Sequence, residues 1–191
     1  MEKYSRPIIA ALLVAFVFLM IYNNQIFILF ILFNLATTYD VFYLWLYTSV
    51  KRSSILLLYI IMIIFNSYWL NTYYETPYNV IKIATITQLS DIFQYYTGQK
   101  LGLNKIGWIS KNKTYEGYIL GLLLTLLSLS YVYSFYDIII IFTLGIIGGL
   151  ISSLFKRIHH IKDYSNLLGS HGGWIDRIDS IIIPQIIYHL F

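Results

Sequence analysis

Apolar residues gather into seven long runs, at about 7–22, 25–49, 54–70, 79–97, 117–134, 136–155 and 174–191, with short polar breaks between them. Within a run the apolar character is continuous rather than alternating, as from Ile138 to Leu144. Continuous runs predict helices and argue against the strands of a membrane barrel, which alternate lipid-facing and lumen-facing positions. A helix needs ~20 apolar residues to cross a bilayer core. A run as short as 7–22 would reach only ~24 Å at the helical rise, so tilt or local thinning must be tolerated. The pattern predicts an all-α integral membrane protein, a polytopic bundle of about seven transmembrane helices forming one domain over 1–191. Composition agrees: 58% of the 191 residues are hydrophobic, 12% are charged and the mean hydropathy is +0.68, too apolar for a soluble domain of this size. Cysteine is absent, which removes disulfide and thiolate–metal chemistry.

The net charge of +4 is small, and its placement says more than its size. Lys3 with Arg6, Lys51 with Arg52, and the loops at 98–116 and 156–173 hold most of the cations, while the break at 71–78 carries Glu75 and no cation. Cationic breaks stay on the cytoplasmic side. That rule puts both polar loops on the cytoplasmic face and leaves 23–25, 71–78 and 134–137 outside. Asp40 is the weak point of the second run, because a carboxylate there needs a partner or water; a split into two shorter elements is left open. The first run follows Lys3 and Arg6 as a signal sequence would, but no small-residue cleavage site precedes Asn23, so it is expected to be an uncleaved span. The 19 tyrosines are read as interfacial anchors. Gly117 with Gly121 and Gly145 with Gly149 allow close helix approach, either within one subunit or in a homodimer.

One polar island interrupts the last third of the chain, from Ser153 to Asp179, SLFKRIHHIKDYSNLLGSHGGWIDRID. Asp176 and Asp179 are three apart at the start of the last helix, so one helical face presents both carboxylates. Paired hard oxygen ligands suit Mg²⁺. The plainer alternative is that Asp176, Arg177 and Asp179 only charge and cap a helix N-terminus. Gly172 and Gly173 lead into that terminus and would make a phosphate cradle of free N–H groups. Lys156, Arg157 and Lys162 are either a headgroup-snorkelling flank or fixed cations for a polyanion. They lie on a segment expected to continue the sixth helix, with Leu154, Phe155, Ile158 and Ile161 on its apolar side. Asp163 would orient Lys162 or add a metal ligand. His171 would bond phosphate or cap the helix, whereas His159 and His160 read as interfacial.

A second constellation lies upstream: Ser90-Asp91 with Gln94, Tyr95, Tyr96, Thr97 and Gly98, then Gly102, then SKNKTYEG from Ser110 to Gly117. Asp91, inside the fourth run, calls for a cation or polar partner. It is expected to be a third metal ligand or a nucleotide contact, against the alternative of a packing hydrogen bond.

The order Ser-x-apolar-Lys-Arg, four residues, Lys-Asp, then His-Gly-Gly-x-x-Asp-Arg-x-Asp closely resembles the signature of the phosphatidate cytidylyltransferases, integral-membrane CDP-diacylglycerol synthases. The upstream loop resembles that family's Ser-Pro-Lys-Lys-Thr-x-Glu-Gly motif at Ser110, Lys113, Thr114, Glu116 and Gly117, with Lys111-Asn112 replacing Pro-Lys, which removes a residue that would have fixed φ. The resemblance covers roughly 79–191; 1–78 holds spans without a motif, and the chain is short for the family, as if N-terminal helices were missing. It implies transfer of a cytidylyl group from CTP to phosphatidate at the cytoplasmic face, with release of pyrophosphate. Mg²⁺ would sit on Asp91, Asp176 and Asp179, and a second, monovalent cation is compatible with such a site. Lys156, Arg157, Lys162, Asp163, His171 and Arg177 would be catalytic, and Ser110, Lys113, Thr114, Glu116, Gly172 and Gly173 would bind substrate phosphates. A CTP-dependent polyprenol or phytol kinase shares a related Lys-Thr-x-Glu-Gly loop, and a non-catalytic scaffold with a degenerate site is the alternative from another class. No nucleophile elbow, zinc-ligand pair or P-loop competes. Nucleic acid is not an expected partner, because the basic residues are confined to membrane-proximal loops.

Overall fold

In a computed structural model the described residues are 23, 25–107, 110–169 and 172–188. They form helices α1 (Ile26–Tyr47), α2 (Arg52–Glu75), α3 (Pro77–Leu101), α4 (Tyr115–Leu129), α5 (Phe135–Ile158) and α6 (Ile175–Ile187). A small antiparallel hairpin, β1 (Lys105–Ile106) and β2 (Ser110–Thr114), joins α3 to α4. The helices follow the six apolar runs from residue 25 onward; the run at 7–22 lies outside the described residues. Helices α1, α2 and α5 are each long and apolar enough to cross a membrane. The all-α membrane-type fold therefore holds, although α4, with 15 residues, and the more polar α3 are not among those three, so among the described residues length and composition give three spans.

Local chemistry sets the ends of the elements. Pro77 opens α3, where its missing N–H costs nothing. Thr114 and Ser134 cap α4 and α5, their hydroxyls accepting the amides of Gly117 and Asp137 at 3.1 Å. Helix α5 stops at Ile158 instead of continuing through Ile161. His160 turns into the left-handed region at φ 55°, and the amides of His160 and Ile161 donate to the carbonyls of Arg157 and Lys156, the hydrogen-bond pattern of a Schellman cap. The SKNKT segment has no apolar periodicity, and pairing as a strand gives its backbone groups partners.

Packing divides the described residues into two units. One holds the residues up to Asn66 together with Asp163–Arg177. Here Leu29 and Leu44 of α1 and Met62 and Phe65 of α2 are buried, and Asn66 Nδ2 donates to Asn34 Oδ1 at 3.2 Å. Asp40 is fully buried with both oxygens hydrogen-bonded, so α1 runs unbroken through it.

The other unit holds Ser67–Lys162 and the described residues from Ile178. Its core is Ile83 and Ile86 of α3, Leu129 and Tyr133 at the end of α4, and Ile138 and Ile141 of α5, with Ile181 and Tyr188 packed against them. Glycines bring the helices within backbone contact. A Cβ on Gly121 would stand 2.7 Å from Gln94 Cγ and 3.1 Å from Gln94 N, and one on Gly117 would stand 3.1 Å from Gly98 Cα. On α5, a Cβ on Gly148 would meet the Asp179 carbonyl at 2.6 Å, and one on Gly145 would face Ser180 and Thr87. Both glycine pairs thus face neighbours in their own chain. At the far end of α3, Lys82 pairs with Asp137 at 3.0 Å and donates to Tyr188 Oη at 2.7 Å, while Tyr188 donates to Asp137 at 2.8 Å. From sequence Lys82 reads as one cation inside an apolar run, with nothing to mark it as the partner of Asp137.

The α3–α4 crossing leaves no room for a methyl group. Gly121→Ala should destabilise the protein by ~1–3 kcal/mol through overpacking, seen as a lower unfolding midpoint in detergent. An unchanged midpoint would mean that the two helices do not touch at Gln94.

Candidate functional site

Within the second unit a pocket of about 350 Å³ opens between α3, β2, α4, α5 and α6, within the size range of small-molecule sites. Asp91, Gln94 and Tyr95 line it from α3, Ser110, Lys113 and Thr114 from β2, and Gly117 and Tyr118 from α4. Gly149, Ser153 and Lys156 of α5 and Asp179 of α6 complete the wall. The hairpin carries Lys113 across to α5, where its ammonium lies so close to Gly149 that a Cβ there would stand 2.9 Å from Nζ. Lys113 Nζ also sits 5.8 Å from the centre of the Tyr118 ring, within cation–π range. Asp91 is within electrostatic reach of both Lys113 and Asp179, with Ser180 beside it. Carboxylates from α3 and α6 and two ammonium groups are therefore gathered in one cavity.

Thr114 and Glu116 of the same loop do different work. Thr114 lines the pocket, is buried, and caps α4; its hydroxyl also fills the space beside Gly98, Gly102 and Gly117. Glu116 does not line the pocket. Its carboxylate accepts the amides of Leu103 and Asn104 and the Asn104 side chain, the last at 2.6 Å. An anionic group spent on the loop backbone braces the turn, and its geometry gives no support to direct phosphate contact.

The signature segment Asp163–Arg177 belongs to the first unit. Asp176 Oδ2 accepts the amides of Tyr164 and Gly173, both at 2.9 Å. That is a carboxylate in the first turn of a helix reaching back to the amide three residues before it. Gly172 takes φ +79°, and a Cβ there would lie 2.9 Å from Asp176 Oδ2 and 3.2 Å from Asp163 Cβ. The Gly172 amide donates to the Gly169 carbonyl at 3.2 Å. With the Gly173 amide on Asp176, neither glycine N–H is free, which corrects the reading of this pair as an open phosphate cradle. The glycines are there because the backbone and the neighbouring carboxylates leave no room for a side chain. Arg157, Lys162 and Arg177 are exposed. His159 packs its ring on Phe155 at 4.5 Å. His171 lies outside the described residues. Among the described residues no three His, Asp or Glu side chains are gathered closely enough to hold a metal ion; the pocket itself holds two carboxylates, Asp91 and Asp179.

The model of the cytidylyltransferase family matches residues 1–191, the whole chain. The chain belongs to the cytidylyltransferase family. Among curated proteins it is similar to the phosphatidate cytidylyltransferase of Aquifex aeolicus, 30% identical over 170 residues, covering 85% of this chain and 65% of that protein. It is likewise similar to the phosphatidate cytidylyltransferase of Bacillus subtilis, 33% identical over 115 residues, and to that of Staphylococcus haemolyticus, 36% identical over 110 residues. Those two matches cover 53% and 51% of this chain and 42% of each relative. The chain thus spans between about two fifths and two thirds of the length of these relatives.

Several residues of this cytidylyltransferase-family pocket escaped the sequence reading as site residues. From sequence Gln94 and Tyr95 stand near Asp91 with no role of their own, and Gly149 reads only as a packing glycine. Nothing in the sequence marked Tyr118, whose hydroxyl is buried without a hydrogen-bond partner among the described residues. Gly149 had a usable signal, since a small residue on a packed helix leaves space that a long side chain from elsewhere can fill.

Glu116 supplies a pH test. Hydrogen bonds, first from its own backbone N–H and then from Asn104 and Leu103, hold its carboxyl below the ordinary 4.5, outweighing the opposing effect of desolvation. A depressed folded-state value means that the stabilisation is fully present above the unfolded value and is lost as pH falls through the folded one. The stability gap between wild type and Glu116→Gln should be constant at neutral pH and shrink on acidification below about pH 4.5. Denaturant titrations at stepped pH check this, and a gap independent of pH would show that the loop is not braced by the charged form.

Proposed function

We propose that this chain transfers the cytidylyl group of CTP to phosphatidate, giving CDP-diacylglycerol and pyrophosphate. The observation that carries the reading is the convergence of Asp91, Asp179, Lys113 and Lys156 in one cavity of small-molecule size. Family membership and the names of the similar proteins support the same reaction. A phosphate oxygen of phosphatidate attacks the α-phosphorus of CTP, the bond to the bridging oxygen breaks, and pyrophosphate leaves with the electron pair. No covalent intermediate on the protein is required. The work of the residues is to hold two polyanions in line and to screen their repulsion. Lys113, anchored against Gly149 and over Tyr118, and Lys156 supply fixed positive charge, and Ser110 and Thr114 offer hydroxyls.

Asp91 and Asp179 are hard oxygen donors, and two carboxylates plus substrate phosphates are what Mg²⁺ takes. The donor set fits that ion. Bound there, Mg²⁺ would neutralise charge on the triphosphate. Asp176 contributes through the glycine bend it braces, and Arg157, Lys162 and Arg177 are exposed signature cations whose charge would attract lipid or nucleotide phosphates. The concentration of cations in the loops at 98–116 and 156–173 supports a cytoplasmic position for the pocket.

Purified protein with phosphatidate, Mg²⁺ and CTP labelled either in cytidine or in the γ-phosphate tests the reaction. Cytidine label should enter lipid and γ-label should leave as pyrophosphate; γ-label in lipid would make the protein a CTP-dependent lipid kinase instead. Asp179→Asn should lower turnover about 100-fold or more while the folded, monodisperse protein is retained. Wild-type turnover in that variant would remove Asp179 from the metal site.

A further inference from the structure

Asp40 lies in the part of the chain that carries no motif, 125 positions from Ser165 and 135 from Ile175. In the structure its carboxylate is fully buried and faces the signature segment. Ser165 Oγ donates to Oδ1 at 2.6 Å, and the Ile175 amide, the first of α6, donates to Oδ2 at 2.8 Å. Ser165 Oγ in turn accepts the Leu167 amide at 3.1 Å. The same carboxylate explains the second glycine of the Gly-Gly pair, since a Cβ on Gly173 would lie 2.6 Å from Asp40 Oδ2 and 2.9 Å from Ser165 Oγ. Phe33, seven residues earlier on α1, packs its ring 4.6 Å from that of Trp174. Helix α1 thus grips the bend at three consecutive residues, 173 to 175.

We propose that Asp40 is a positioning residue, which acts as the N-cap of α6 from another helix and so fixes the glycine bend and Asp176 in their working arrangement. A helix usually caps itself with a side chain just before its first turn. Around this terminus the residue before the first turn is Trp174, preceded by two glycines, and none of them offers a side-chain acceptor. An acceptor-only carboxylate brought in from α1 meets the need, and its charge is favoured by the helix dipole. Buried donors left without an acceptor are costly, so the bend cannot keep its geometry if Asp40 is removed. The catalytic part of this inference rests on the cytidylyl-transfer reading; the capping part does not.

The test uses the full chain in nanodiscs as wild type, Asp40→Ala, Asp40→Asn and Ser165→Ala. Hydrogen exchange of the peptide over 172–177 should quicken about tenfold in Asp40→Ala, the scale expected for a lost cap, while exchange over 52–66 stays as in wild type. Asparagine keeps an oxygen for the Ile175 amide and can donate to Ser165 Oγ, so Asp40→Asn should restore most of the protection. Turnover of CTP and phosphatidate should follow the same order, with kcat reduced about tenfold in Asp40→Ala and KM for CTP changed less than about threefold. Unchanged exchange in Asp40→Ala overturns the cap; quickened exchange with wild-type kcat overturns the positioning role. Should Asp40→Ala not fold, intermediate protection and kcat in Ser165→Ala, with near-wild-type values in Asp40→Asn, support the proposal, and wild-type behaviour of Ser165→Ala overturns it. A wild type without turnover defeats the cytidylyl-transfer reading, and exchange alone then decides on Asp40.

Discussion

A charged side chain buried among apolar helices must be met by an opposite charge or by hydrogen-bond donors, because neither hydrocarbon nor a packed core can solvate it. This chain has few charges, and the way each buried one is met organises the fold around it. Lys82 finds Asp137 and Tyr188. Asp40 finds the hydroxyl of Ser165 and the first amide of α6. Asp91 finds Lys113 within reach and shares its pocket with Asp179. In the first two sets each charged group is met by partners within the chain. The third gathers like charges from α3 and α6 beside two ammonium groups and lines a cavity.

Close packing makes that third set possible. Gly98 and Gly117 let α3 and α4 meet at backbone distance, Gly148 lets α5 touch the backbone of α6 at Asp179, and Gly149 leaves the space that the Lys113 ammonium enters. Lys113 reaches that space because the polar SKNKT segment forms a strand, and because Thr114 and Glu116 tie its end to α4 and to the preceding turn. Residues that share a motif therefore divide the labour. Lys113 faces the cavity, while Thr114 also caps a helix and Glu116 braces a loop. The signature segment divides in the same way: Asp179 faces the pocket, and Asp176 holds the glycine bend with one of its oxygens.

Much of this was legible beforehand. The positions of α1 to α6 follow from apolar runs long enough to form helices, since lipid-facing residues and core residues are alike apolar and the breaks between them are polar. Placing the cationic loops on one side led to the expectation that Asp91 meets both Asp176 and Asp179; the pocket holds Asp91 and Asp179, and Asp176 is not among its lining residues. The hairpin was not legible, because a five-residue polar strand has no pattern to distinguish it from a loop. Nor was the stop of α5 at Ile158, which depends on a histidine adopting a conformation that glycine usually supplies. Asp40 was seen as an anomaly without a partner, because its partners stand more than a hundred residues away in sequence.

By itself the sequence determined the class of the protein, the place of its helices and the residue types, carboxylates and ammonium groups, that line its pocket. These are properties of composition, period and local spacing, and need no knowledge of what lies across a helix. The tertiary structure alone decided which carboxylates face a cavity and which hold backbone amides, because a carboxylate serves either purpose with the same chemistry. Asp179 and Asp176 stand one helical turn apart in a single motif. What separates their roles is the set of donors that packing brings to each oxygen, and that is a property of distance in space.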